Sequence, residues 1–487
     1  MYLHLDNSIG YKSLHQINSN YGNAQVYQSK SINQNTFNHI EKLSISLYNK
    51  IASYGAPREL HREIVRFVNP IIRDKEKLAI DDRIMFPDTV DRLLKSNLSI
   101  KGHEYDICKN GCKMFKVNDR DDSICNYCGE QRFESDDEQV PAATMKIISI
   151  GDYLSNMLAN EETRKMFMYR ATREEEPDVY QDIFDGDVYK GLKQQGFFDG
   201  DLDIALALFV DGFTTQRKGK RTMTIIHCLI LNVDPSSRYT DEFTLQLGVI
   251  PGPKKPKDID SFLEPIVEEL LNLSTNGLIV VNGSEEVCKA KVHLILASGD
   301  TPAVADLMHH GSHVSLHGCR FCKEFNINQP TIFARLPTFS GVPFFGFDEM
   351  HTIAHGIGKH IYELIVVNMH SPSNTNIYYI DQEGNPNTES YTFKFSRKNI
   401  KTMGECIELS RATIPTSFQG GWENPFVKIE GFRAVDWLDF LLHAVKCTVI
   451  PFVDHIEVRD ALLSLIHGCD MALHWRITEA VRNDIAR

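Results

Sequence analysis

The chain has 487 residues, of which 42% are hydrophobic and 24% are charged, and its formal net charge is −13. This composition fits a globular protein of two or three domains, and the acidic balance argues against a chain that wraps nucleic acid over its whole surface. No apolar run approaches the roughly 20 residues of a membrane-spanning helix, and the N-terminus MYLHLDNSIGYKS lacks the pattern of a secretion signal.

The first hundred residues divide into a polar part and a helical part. Residues 1–40 are rich in Asn, Ser and Gln, which predicts a disordered or loosely structured segment. Residues 37–55 and 60–74 place apolar side chains at helical spacing. We therefore expect a region 1–98 that ends in a small helical support domain. The alternative, a head that binds DNA ends, finds no recognition signature in the sequence.

A cysteine cluster follows in the segment YDICKNGCKMFKVNDRDDSICNYCGEQRF. Cys108 and Cys112 are separated by twelve residues from the second pair, Cys125 and Cys128. Four thiolates in two close pairs suit tetrahedral Zn²⁺, and we predict a four-cysteine zinc knuckle over 99–140. The alternative, four reduced structural cysteines, leaves the spacing unexplained. Whether the knuckle also touches DNA stays open, because its lysines favour such contact and its aspartates oppose it.

Residues 134–142 are acidic and indicate a linker, and residues 141–200 predict a helical linker region. The core is expected over 201–335. Its predicted elements are strands at 203–213, 221–234, 242–253, 277–283 and 288–300, and helices at 256–274 and 301–311. Three consecutive strands followed by a helix and a further strand predict an α/β fold with a mixed sheet, in the order of the ribonuclease-H-like fold.

Two of these strands carry a carboxylate at their C-terminal end, directly after the apolar run. The apolar run 204–210 leads into Asp211, and the run 292–299 leads into Asp300. Adjacent strands would bring these side chains within reach of shared Mg²⁺, as a two-metal phosphoryl-transfer site requires. The alternative is that both residues are ordinary turn residues, since Asp-Gly is a common turn sequence.

Several phrases resemble the transposase family of CACTA (En/Spm-type) DNA transposons, in the form common in fungi. They are DICKNGCKMF and CNYCGEQRF, VDGF, VIPGPKKPKDIDSFLEPIVEEL, SGDTPA, HGCRFC, FDEMHTIAHGIGKHI and, more weakly, FRAVDWLDFLL. They span about 105–442. The resemblance implies a DDE/D transposase that uses Mg²⁺ (or Mn²⁺) to cut DNA at terminal inverted repeats and to join it elsewhere. It also implies a nuclear protein that acts as a homo-oligomer on paired ends.

In this family pattern Asp211 and Asp300 match the first two carboxylates. Cys319 and Cys322 match a cysteine pair that, in the distantly related V(D)J recombinase, joins two later histidines around Zn²⁺ and fastens a helical insertion to the core. The sequence departs from the pattern, because no His pair followed by a third acidic residue is found before Arg487. We therefore expect a C-terminally truncated chain, with a helical insertion region over 336–487. The alternative function is an inactive or domesticated remnant that binds zinc and DNA.

Several histidines, basic residues and tryptophans could have either a functional or a purely structural role. His351 and His355 lie four apart on a predicted helix and could complete a mixed cysteine–histidine zinc site with Cys319 and Cys322, although such histidines are more often structural. Two basic groups are candidates for contact with DNA phosphates: Lys254, Lys255 and Lys257, and, in the hairpin after Asp211, Arg217 and Lys218. The alternative is that both groups are solvated side chains of turns. Trp437 and Trp475 are expected in the core.

Overall fold

The structure is a computed structural model. It describes residues 25–28, 37–73, 83–97, 100, 102–117, 119, 121–134, 140–216, 219–310, 330–370, 393, 395–414 and 422–486. The chain divides into two compact units. Unit 1 contains Met1–Thr172, Phe198–Leu294 and Ile332–Phe339, and unit 2 contains Arg173–Phe197, Ile295–Thr331 and Ser340–Arg487.

The described chain mixes strands and helices. The strands are β1 (Gln25–Gln28), β2 (Gly102–Asp106), β3 (Thr144–Ile148), β4 (Val179–Tyr180), β5 (Ile204–Gln216), β6 (Gly219–Ile230), β7 (Thr244–Ile250), β8 (Leu278–Asn282), β9 (Glu285–Ala290), β10 (Val292–Gly299) and β11 (Ile477–Thr478). The helices are α1 (His39–Ser53), α2 (Arg58–Arg73), α3 (Pro87–Asn97), α4 (Ile150–Ala159), α5 (Glu161–Phe167), α6 (Tyr169–Thr172), α7 (Asp187–Gln194), α8 (Pro235–Arg238), α9 (Ile259–Thr275), α10 (Thr301–Leu307), α11 (Lys359–His370), α12 (Arg397–Ser410), α13 (Ala434–Asp439), α14 (Ile456–Ala472) and α15 (Glu479–Ile485). Short 3-10 and π-helical segments supplement them.

A six-stranded sheet has the order β10-β5-β6-β7-β3-β2, and its strands lie in unit 1 except for the part of β10 after Leu294. The strands β5, β6 and β7 are consecutive in the chain and antiparallel. The first five residues of β5 are all buried. This near-continuous apolar run is the pattern of a central strand covered on both faces. The predicted α/β class with a mixed sheet is confirmed.

Three sequence predictions for this sheet need correction. First, the strand predicted over 203–213 extends to Gln216, and Asp211 pairs with Ile225 of β6, so the alternative that placed Asp211 in a turn is wrong. Its buried part does end there, since Asp211 and the next three residues are exposed. Second, residues 144–148 form a strand and not a helix. Third, the run 288–300 is split between β9 and β10, because β9 forms a hairpin with β8.

Helix α9 is held against the start of α4 by a buried carboxylate. Glu269 is 1% exposed and accepts hydrogen bonds from the Ser149 hydroxyl and from the backbone N–H groups of Ile150 and Gly151. The first N–H groups of a helix have no partner within the helix, and a carboxylate satisfies them. Ser149 also caps α4 through its side chain.

The predicted N-terminal helices are confirmed as α1 and α2, and a third helix, α3, follows them. Asn38 and Glu41 form a capping box that starts α1. Helix α2 continues through Pro70, within the stretch 60–74 that was predicted to be helical. Of the residues predicted to be disordered, 1–24 and 29–36 lie outside the described chain, while β1 pairs in parallel with β8.

Unit 2 is mainly helical, as expected for 336–487. Its core includes π-helical segments at Met350–Gly358 and Phe440–Val449. Trp437 is buried in this core, as predicted, but Trp475 is 76% exposed, so its predicted core position is wrong. Residues 371–392, rich in polar side chains, lie outside the described residues. Among the described helices, none combines the length and apolar character needed to cross a bilayer.

Candidate metal site and nucleic-acid interface

The four cysteines of the predicted knuckle come together between β2 and β3. One ligand atom from each of Cys108, Cys112, Cys125 and Cys128 lies within 4.8 Å of the others. Tetrahedral Zn²⁺ with Zn–S bonds of about 2.3 Å sets its sulfur atoms roughly 3.8 Å apart. The donor set and its spacing therefore fit a zinc ion, with small adjustments of the side chains.

Two similar turns present these thiols. In the first, the Gly111 N–H donates to the Cys108 carbonyl, and in the second the Gly129 N–H donates to the Cys125 carbonyl. Gly111 has φ of 71° and Gly129 has φ of 77°, a region where a side chain is strained. A glycine beside each cysteine pair therefore gives both turns the backbone conformation that they need.

The surroundings shift the pKa of three of these thiols in different directions. Burial raises the pKa of Cys108 and of Cys112, with nearby cysteines adding to the shift for Cys112. At Cys128 burial also acts to raise the pKa, but hydrogen bonds from the Glu130 N–H and the Asn110 side chain outweigh it and lower the pKa to about 7. A divalent cation would displace the remaining thiol protons, since thiolates are the ligating form.

The knuckle, residues 107–133, packs against the segment that joins β7 to α9. The Cys112 carbonyl accepts hydrogen bonds from the Lys257 N–H at 2.9 Å and from the Asp258 N–H at 3.0 Å. The Met114 N–H donates to the Ser261 hydroxyl at 2.9 Å. We call residues 251–258 the β7–α9 loop. It contains the basic cluster predicted from the sequence, and Lys254, Lys255 and Lys257 are all exposed.

Asp211 lies where β5 leaves the buried part of the sheet. A titratable neighbour is His227 on β6, whose pKa burial lowers and Asp211 raises. His227 stacks on Phe209 with ring centroids 5.4 Å apart. Nδ1 of His227 is buried without a hydrogen-bond partner. Sequence reasoning missed this histidine, because nothing in the run TIIHCLI marks it before the strand register is known.

Asp300 follows β10 directly and caps α10. Its Oδ1 accepts a hydrogen bond of 2.6 Å from the Ala303 N–H, and Pro302 stands in the first turn. Capping fixes the orientation of the carboxylate and leaves Oδ2 outside that bond. The start of the helix predicted at 301–311 is thus confirmed.

Other predicted site residues fall outside the described chain. They are Arg217 and Lys218, which follow β5 in the sequence, and Cys319 and Cys322. His351 and His355 share one face of their helical segment, with ring centroids 5.7 Å apart. Nδ1 of His351 is 2.5 Å from the Asp348 carboxylate, an arrangement that orients metal-binding histidines and structural ones alike.

Comparisons with known proteins bear on about a third of the chain. A search of curated proteins found no match. Residues 184–346 match the family model described as Transposase family tnp2. This segment contains β5, β6, β7, β10, the β7–α9 loop, Asp211 and Asp300, whereas the knuckle precedes it. The match supports a transposase-like function for a chain that carries this segment.

Proposed function

We propose that the chain is a DDE/D-type transposase that cleaves DNA at transposon ends and transfers the strands, with Asp211 and Asp300 as two ligands of divalent cations. The observation that carries the proposal is the family match over 184–346, which includes both carboxylates and the strands that bear them. The finer assignment to CACTA (En/Spm-type) elements of the fungal form rests on the sequence phrases described above.

The strand order supports a ribonuclease-H-like core as part of this proposal. β10 and β5 are neighbours in the sheet, and β5, β6 and β7 follow one another as antiparallel strands. The Ile204 N–H donates to the Lys291 carbonyl at 2.8 Å, so β5 and β10 begin beside each other. Asp211 comes seven residues after Ile204, and Asp300 nine residues after Lys291. Because the two strands start side by side and the two aspartates follow at similar distances along them, we expect both carboxylates to reach one metal site.

Each group of residues would have its own role in the proposed reaction. Asp211 offers an exposed carboxylate at the point where a rigid, buried strand emerges. Asp300 offers the oxygen that does not cap α10. Mg²⁺ or Mn²⁺ bound there would polarise the phosphodiester and activate water and then a 3′-hydroxyl for in-line attack. Exposed lysines of the β7–α9 loop would hold the negatively charged backbone of the DNA.

Cleavage of DNA by the purified chain tests the proposal. We expect Mg²⁺-dependent cutting of DNA that contains terminal inverted repeats, and its loss in Asp211→Asn and Asp300→Asn. Asp241→Asn is the matched control, because Asp241 is an exposed carboxylate in the connection from β6 to β7, near the edge where β5 begins. Equal loss in the control would contradict the assignment of the two carboxylates.

A second experiment tests whether one metal site joins the two strand ends. Fe²⁺ in place of Mg²⁺, with hydrogen peroxide as the oxidant and ascorbate to return Fe³⁺ to Fe²⁺, generates hydroxyl radicals that cut the polypeptide near the bound ion. Cuts close to both 211 and 300 are expected, and both should vanish in either Asn variant. Cuts near only one of them would contradict a shared site. DNA and zinc binding without any cleavage would instead support the inactive remnant.

Three further parts of the proposal follow from the DNA substrate. The chain would recognise terminal inverted repeats, act as a homo-oligomer on paired ends and reside in the nucleus. Light scattering of the chain with one and with two DNA ends tests the oligomer. A mass corresponding to a single copy on paired ends would contradict it.

A further inference from the structure

We infer that the knuckle with its metal ion positions the β7–α9 loop as a phosphate-binding platform and does not itself contact the nucleic acid. The DNA part of this inference rests on the proposed function. The physical part rests on contacts within unit 1 alone, which join the metal site to the basic loop.

The first step is that the knuckle holds the loop at both of its ends. At the far end, the Cys112 carbonyl accepts from the N–H groups of Lys257 and Asp258. Cys112 is itself one of the four candidate ligands. A metal ion that fixes its thiolate therefore also fixes the carbonyl group on which the end of the loop depends.

At the near end, the backbone of Gly111 lies against Pro251. A Cβ atom built on Gly111 would stand 2.4 Å from the Pro251 carbonyl oxygen, closer than any side chain can be accommodated. Only glycine permits this approach. The other glycine of the knuckle, Gly129, has a similar φ, but a Cβ there would meet nothing within 4 Å. The two glycines therefore share a backbone conformation and differ in their contact with the loop.

The loop is also fixed on its other side. The Thr222 N–H of β6 donates to the Pro253 carbonyl at 3.2 Å, and a Cβ on Gly252 would stand 1.7 Å from the Thr222 carbonyl oxygen. The chain between Pro251 and Asp258 is thus clamped between a strand of the sheet and the knuckle. Release of the knuckle would leave it attached on one side only.

The charges indicate which of the two partners meets nucleic acid. In the knuckle, Lys109 pairs with Glu130 at 2.8 Å and Lys113 pairs with Asp122 at 2.6 Å, so two of its three lysines are paired with carboxylates. In the loop, Lys254 and Lys257 are exposed within four residues of one another. On a chain with net charge −13, such a local cluster is the feature that complements a phosphate backbone.

A matched pair of variants tests the inference. Gly111→Ala introduces the clash with Pro251, whereas Gly129→Ala introduces comparable backbone strain without it. Three quantities are compared in the full-length chain: zinc content by mass spectrometry, amide exchange of peptides covering 251–262, and affinity for a DNA duplex measured over a range of salt. Both variants should keep their metal, since neither alters a ligand.

We expect the amides of 251–262 to exchange faster in Gly111→Ala and its affinity for the DNA duplex to fall about tenfold. The slope of log affinity against log salt concentration should become less steep by up to about 0.9 for each lost phosphate contact. Chelation of zinc should give the same changes in the unaltered chain. Gly129→Ala should match the unaltered chain in exchange and in affinity. If the Gly111→Ala chain loses its metal, Ser261→Ala is used as the test variant in its place. Ser261→Ala removes only the hydroxyl that accepts from the Met114 N–H and that donates within the start of α9.

Lysine variants complete the test. Lys254→Ala and Lys257→Ala should each weaken DNA binding, and Lys109→Ala should not. A Lys109→Ala effect as large as that of Lys254→Ala would overturn the inference, and so would a loosened loop with unchanged affinity. A chain that binds no DNA at all would overturn it as well. Binding without cleavage would contradict only the proposed function.

Discussion

Glu269 accepts a hydrogen bond of 2.6 Å from the hydroxyl of Ser149, a residue 120 positions earlier in the chain. Through this bond the interior of α9 is tied to the first turn of α4. Burial raises the pKa of Glu269 to about 7, although hydrogen bonds from Ser149 and from two backbone N–H groups act to lower it. The effect of burying this carboxyl group on the free energy of unfolding therefore depends on pH.

The first prediction concerns Glu269→Gln. The amide nitrogen of Gln replaces an acceptor oxygen, so one N–H group at the start of α4 loses its partner, at a cost of about 1–3 kcal/mol in the free energy of unfolding. The folded-state pKa of Glu269 lies above its unfolded value. Its contribution to stability is hence fully present below pH 4.5 and is lost as pH rises through about 7.

The stability advantage of the unaltered chain over Glu269→Gln should accordingly shrink from pH 5 to pH 8. Urea unfolding combined with amide exchange of α4 peptides measures it. Glu268→Gln is the control, since Glu268 lies on the same helix but is half-exposed beside Arg335. A difference that stays constant across this pH range would contradict a raised pKa for Glu269.

The second prediction concerns the metal. Cys128→Ser should abolish stoichiometric zinc binding and lower the melting temperature of unit 1, because the ion closes the chain between β2 and β3. Cys406→Ser is matched to it, as Cys406 is also an exposed free cysteine but lies outside the cluster. Mass spectrometry and thermal unfolding give the readouts. Unchanged zinc content in Cys128→Ser would rule out a four-cysteine site.

Local patterns in the sequence were sufficient for the centre of the sheet. The apolar run in β5, the β-branched residues of β6 and the Asp258 cap of α9 each determine their structure within a short window. The paired knuckle turns were predictable for the same reason, because cysteine spacing and the adjacent glycines act locally.

Long-range pairing is what the sequence could not reveal. β2 and β3 are five residues each, too short for a clear alternation, and the knuckle separates them. Their place in the sheet depends on pairing with β7, whose Gly248 lies opposite Ile147. The contact between Met114 and Ser261 spans 147 positions, so no local signal could place the knuckle on the β7–α9 loop.

The third prediction contrasts two glycines. Gly252→Ala should destabilise the chain strongly, because the new Cβ would meet the Thr222 carbonyl oxygen at 1.7 Å and the backbone has to move. Gly191→Ala should instead stabilise α7 by about 0.5–1 kcal/mol, since Gly191 lies inside the helix with open space around it. Thermal unfolding measures both. A tolerated Gly252→Ala would show that the loop does not lie against β6.

The last prediction concerns His227, beside Asp211. Its Nδ1 is buried without a hydrogen-bond partner, and its ring stacks on Phe209 with an interplanar angle of 11°. His227→Phe keeps the stack and removes the unsatisfied nitrogen. We expect the free energy of unfolding to rise by about 1 kcal/mol at pH 7, because an unpaired buried polar atom is costly.

The same substitution should change the response to acid. Burial lowers the pKa of His227 below 6.5 despite the nearby Asp211, so its stabilising contribution is present above pH 6.5 and is lost as pH falls. His227→Phe should therefore lose less stability than the unaltered chain between pH 7 and pH 5. His467→Phe, at an exposed histidine of α14, provides the control. The prediction is contradicted if His227→Phe lowers the free energy of unfolding and leaves the response to acid unchanged. In that case the imidazole makes a favourable polar contact in the folded protein, and its nitrogen has a partner such as water or a metal ion.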